Sequence, residues 1–153
     1  MEDEELRMKD GKPICMGKGV CLREGKDMAV LSIGAIGNAV AEAIDLVDER
    51  AKNQEPRLIA HYDMRWLKPL DEDLLREVGE RFKTIVTVED GVIEGGLGSA
   101  VLEWMADHGF TPRVIRLGVR DQFVEHGSTQ ELYHLLKLDK EGICESLLQA
   151  LEK

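Results

Sequence analysis

The segment Thr84-Ile85-Val86-Thr87-Val88 is β-branched throughout, a composition that suits a strand covered on both faces in a parallel sheet. Helices are therefore expected on both sides of it. The segment runs into Glu89-Asp90-Gly91 and then Glu94-Gly95-Gly96-Leu97-Gly98-Ser99, an acidic tip followed by glycines that open a helix. Glycines at 95, 96 and 98 let backbone approach backbone where a strand hands over to a helix. They also leave free N–H groups at the positive end of that helix, where an anion is stabilised. The carboxylates of Glu89, Asp90 and Glu94 stand at the same edge, so the expected occupant is one of these rather than an external phosphate. Glycine spacing alone is a weak motif.

The rest of the chain falls into alternating elements. Glycines interrupt a first strand over 12–22, where Pro13 fits the opening of an edge strand. A turn over 23–27 leads to a buried strand over 28–33, and these two strands are expected to pair antiparallel. Ile36, Ala39, Val40, Ala43, Ile44 and Val47 recur at helical spacing and predict a helix over 35–50. Pro56 closes the next loop, Arg57 opens a strand that ends at Asp63, and Asp71 is a helix N-cap ahead of Leu74, Leu75, Val78 and Phe82. After the Thr84 strand come a helix over 96–108 stopped by Gly109, a strand over 113–117, and two helices capped by Thr129 and Asp139. This order predicts an α/β fold, a mostly parallel five-stranded sheet with helices on both faces and one antiparallel edge strand. Residues 1–11 are expected to be a disordered lead-in and 12–153 a single domain.

The strand ends toward the C-terminus are where ligands or partner domains dock in such sheets. That edge gathers Ser32 and Gly34, Asp63, Glu89, Asp90, Glu94, and Gly118 with Asp121. Gly34-Ala35-Ile36-Gly37 is only G-x-x-G, short of a dinucleotide fingerprint, and no phosphate-loop Gly-Lys-Ser or Gly-Lys-Thr occurs. The four histidines are scattered, with no pair at the helical spacing of a metal site. His126 lies beside Glu125 in the loop after the last strand, where an imidazole can exchange protons near neutral pH. The simpler reading is a histidine bonded to loop backbone. Arg65, Trp66 and Arg120 are candidate docking residues, because interfaces favour Trp and Arg anchors. No catalytic, cofactor-binding or metal-ligating residue is assigned.

A net charge of −10 speaks against nucleic acid and anionic membranes as partners. Three cysteines without a C-x-x-C pair indicate reduced thiols, and the acidic start lacks a signal peptide's basic and apolar regions. The expected location is the cytoplasm.

Three segments together resemble the C-terminal domain of the 1-deoxy-D-xylulose-5-phosphate synthases, thiamine diphosphate enzymes built like transketolase. They are Asp63-Met64-Arg65-Trp66-Leu67-Lys68-Pro69-Leu70-Asp71, Val88-Glu89-Asp90-Gly91 with Glu94-Gly95-Gly96-Leu97-Gly98-Ser99, and Leu117-Gly118-Val119-Arg120-Asp121-Gln122-Phe123-Val124-Glu125-His126-Gly127. The first is specific to the synthases; the second is shared with transketolases and 2-oxoacid dehydrogenase β subunits. The resemblance implies a three-domain homodimeric parent that condenses pyruvate with glyceraldehyde 3-phosphate, releasing carbon dioxide, toward isoprenoid, thiamine and pyridoxal precursors. It places thiamine diphosphate and Mg²⁺ in the two earlier domains, so this fragment is expected to bind neither and to be inactive alone. Its implied role is a packing surface for those domains and part of the dimer. Alternatives are the same domain of another transketolase-like enzyme and a stand-alone anion-binding module.

Overall fold

The computed structural model describes residues 11, 13–51 and 58–152. The expectations for residues 1–10, Lys12, Pro56 and Arg57 lie outside the described residues. The strands are β1 (Val20–Arg23), β2 (Met28–Ile33), β3 (Ile59–Asp63), β4 (Thr84–Val92) and β5 (Arg113–Val119). The helices are α1 (Ile36–Arg50), α2 (Glu72–Arg81), α3 (Leu97–Asp107), α4 (Thr129–Leu135) and α5 (Lys140–Leu151). One five-stranded sheet runs in the order β1-β3-β2-β4-β5, parallel except for β1.

The first strand departs from expectation twice. It begins at Val20, and its antiparallel partner is β3, not β2. The cause is burial: β2 is covered at five of its six residues and takes a parallel neighbour on each side, whereas β1 exposes Cys21 and Leu22 and suits a margin. The turn between them arches over the start of β3. A Cβ on Gly25 would lie 2.2 Å from the Ala60 nitrogen, so only glycine lets the two backbones cross.

The sheet divides the core in two. On one face α1 and α5 set Val40, Ile44, Ile143 and Leu147 over Met28, Val30, Val86 and Val88. On the other, α2 and α3 set Leu75, Val78, Val101 and Met105 over Ala29, Leu31, Ala60 and Ile85. Alternating directions along each strand supply both faces from one sequence.

Three helix starts, those of α2, α4 and α5, follow side-chain caps. The Asp71 carboxylate accepts from Leu74 N at 3.2 Å, and it also takes Gly19 N at 3.0 Å and Lys18 Nζ at 3.3 Å, which fastens the entering chain to α2. Asp139 caps α5 through Gly142 N at 2.9 Å. The cap of α4 is Ser128, one residue before the expected Thr129, because Ser128 and Glu131 form a reciprocal capping box. No helix among the described residues is long and apolar enough to cross a membrane.

Candidate functional site

The strand-end edge is built from the end of β4 upward. After Val88 the β4–β5 register shifts and pairing resumes at Val92 with Val119, so Glu89 and Asp90 lie within a strand rather than on a free tip. Glu89 turns inward and is 6% exposed. Its Oε2 accepts from Leu97 N at 2.8 Å and its Oε1 from Gly98 N at 3.0 Å. The positive end of α3 is thus filled by a carboxylate of its own chain, as the sequence led us to expect.

The glycines make room for this arrangement. A Cβ on Gly96 would lie 2.0 Å from Glu89 Oε2, and one on Gly98 would lie 2.7 Å from both Thr87 Oγ1 and the Arg116 side chain. Gly95 has φ +78°, and its N–H donates to Ser99 Oγ at 2.9 Å. Ser99 in turn donates to Ile93 O at 2.9 Å, and Arg116 Nη1 donates to the same carbonyl at 3.2 Å. Arg116 escaped the sequence reading. Its signal was a charge in the middle of an otherwise apolar strand, which alternation alone assigns to solvent.

The other candidates are dispersed. Asp90 is exposed and accepts a hydrogen bond from the Tyr133 hydroxyl of α4. That carboxylate pushes the phenol up to about 12, so a neutral phenol donates to a charged acceptor. Glu94, Asp121 and His126 are exposed, and no hydrogen bond or ion pair among the described residues joins His126 to Glu125 or to Glu89. Arg65 sits at φ +58°, its N–H held by Asp63 Oδ1 at 3.0 Å and its Nε 3.7 Å from Asp63 Oδ2. Trp66 is half-buried, and its indole N–H has no hydrogen-bond partner among the described residues. Arg120 is exposed beside Lys137 and Ser146 in a cleft of about 190 Å³.

Sequence reasoning also missed a buried pair. Ser32 Oγ and His61 Nε2 meet at 2.8 Å between β2 and β3, at 0% and 1% exposure. Burial pushes the imidazole down to about 4, so it is neutral at physiological pH. Enclosed under α1, where a Cβ on Gly37 would lie 3.0 Å from Ser32 Oγ, this pair links β2 to β3 in the interior. Among the described residues no three His, Cys, Asp or Glu side chains converge as metal ligands.

A groove of about 480 Å³ lies between residues 67–72 and one side of α3. Leu67, Pro69 and Leu70 form one wall; Ser99, Ala100 and Trp104 form the other.

A family profile described as the transketolase C-terminal domain matches residues 17–143. The 1-deoxy-D-xylulose-5-phosphate synthase of Bacteroides thetaiotaomicron is 55% identical over 139 residues, which is 91% of this chain and 21% of that enzyme. The synthase of Parabacteroides distasonis is 58% identical over 132 residues, 86% of this chain and 20% of that enzyme. The chain therefore spans about a fifth of the length of the curated relatives it matches. Among solved structures, a split-gene transketolase in an inactive beta4 tetramer superposes with a TM-score of 0.80 at 29% identity, covering 92% of this chain and 44% of that one. A transketolase from Pichia stipitis gives a TM-score of 0.64 at 14% identity over 92% of this chain and 20% of its own, a likeness of fold.

Proposed function

From the premise that the chain belongs to the transketolase C-terminal domain family, we propose that it is the third domain of a 1-deoxy-D-xylulose-5-phosphate synthase. In that parent, pyruvate and glyceraldehyde 3-phosphate are joined with loss of carbon dioxide by a thiamine diphosphate- and Mg²⁺-dependent homodimer in the cytoplasm. The observation that carries this reading is identity of 55% and 58% to two synthases across nearly the whole domain.

The part played by this chain is architectural. Its residues do not fit a diphosphate with its Mg²⁺. The glycine-rich start of α3 is satisfied by Glu89, and no three metal-binding side chains converge among the described residues. The same satisfied helix start argues against the stand-alone anion-binding alternative.

Two assays test the proposal. The chain alone, given pyruvate, glyceraldehyde 3-phosphate, thiamine diphosphate and Mg²⁺, should yield no product above blank. A chimera in which it replaces the last domain of the Bacteroides thetaiotaomicron synthase should form 1-deoxy-D-xylulose 5-phosphate. A folded, dimeric but inactive chimera would refute the assignment to the synthases.

A further inference from the structure

Resting on that reading, we infer that the groove between residues 67–72 and α3 is the seat of the preceding domain of the same polypeptide, which inserts an apolar segment. Three observations lead there.

The first is where the entering chain runs. Gly17 is packed so closely on Pro69 that a Cβ there would lie 2.7 Å from the Pro69 ring. Lys18 Nζ reaches Asp73 at 2.7 Å, and Gly19 N reaches Asp71 at 3.0 Å. The segment that would connect to an upstream domain is thus clamped to the loop that forms one wall of the groove. A domain tethered there meets the groove at high effective concentration, as an intramolecular partner.

The second is the chemistry of the lining. Leu67, Pro69, Leu70 and Ala100 present apolar surface, backed by the largely buried Trp104 ring. An apolar floor with an aromatic wall is the composition of an interface centre. The rim is mixed in charge: Glu72 and Glu103 stand with Lys68, His108 Nε2 lies 3.9 Å from Glu72 and the Arg76 guanidinium lies over the Trp104 ring, a polar rim around an apolar centre.

The third is rigidity. The 67–72 wall is anchored at one end by the Arg65 turn, held by Asp63, and at the other by the Asp71 cap. The opposite wall is a helix pinned by Glu89. A preformed groove loses little conformational entropy on binding.

Maleimide labelling of Ala100→Cys and Glu103→Cys, followed residue by residue by mass spectrometry, tests this in the isolated chain and in the full-length chimera. Labelling at both positions should be slower in the chimera by on the order of tenfold or more. Unchanged labelling in an active chimera overturns the groove assignment and leaves the synthase reading intact. Slowed labelling in an inactive chimera does the reverse. Protection of the isolated chain that grows with its concentration would make a second copy the occupant, and would also overturn the inference. Should the chimera not fold, the same two cysteines at the aligned positions of the intact Bacteroides thetaiotaomicron synthase give the same readout.

Discussion

A single carboxylate decides what the end of β4 can do. Glu89 holds two backbone donors in a buried setting, so Glu89→Ala should cost about 2–4 kcal/mol, because both N–H groups would be left unpaired. Urea unfolding should show a lower midpoint at unchanged slope. Inorganic phosphate should then raise the melting temperature of this variant and leave the wild type unmoved; a rise in the wild type would mean that the helix start is open after all. The neighbouring glycines separate space from backbone strain. Gly96→Ala drives a methyl into Glu89 Oε2 and should cost about 1–3 kcal/mol. In the Glu89→Ala background only the part due to that carboxylate should vanish, because the same methyl also lies 2.8 Å from the Val92 carbonyl oxygen; a double-mutant cycle measures that coupling. Gly95→Ala has open space but φ +78°, so its cost should be the same in both backgrounds.

Among elements, the parallel strands and their helices were legible because their signals are local: β-branched runs, apolar residues at helical spacing, and Asp71 and Asp139 ahead of them. Pairing was not local. Nothing in residues 20–33 announces that β3 will slide between β1 and β2; that follows from β2 needing cover on both sides, a property of the assembled sheet. Glu89 was legible as an anion for α3, whereas Arg116 and the Ser32–His61 pair were not, since each depends on what a neighbouring strand places opposite. The His61 pair has a pH signature. Its folded pKa, about 4, lies below the unfolded value of 6.5, so the unfolded chain binds more protons between these limits. Its contribution is complete above pH 6.5 and fades as the pH falls toward 4, by up to about 3 kcal/mol. Urea midpoints at pH 7, 5.5 and 4 should drop steeply for the wild type and less for His61→Gln, which cannot titrate. Equal slopes in the two proteins would place the acid sensitivity elsewhere.

The whole molecule is a two-faced core around one sheet, and its two faces are completed in different orders. The face covered by α2 and α3 draws on the middle of the chain, from Ala29 to Met105. The opposite face instead joins α1 to α5, elements from near the two ends of the domain. Contacts this far apart in sequence form slowly, because the intervening chain must first be closed into a loop. A ribosome making this protein will therefore release the apolar stripe of α1 long before α5 emerges to shield it. Until α5 has emerged, that stripe lacks the helix that covers it in the folded domain, and it is then a site for chaperone binding or aggregation.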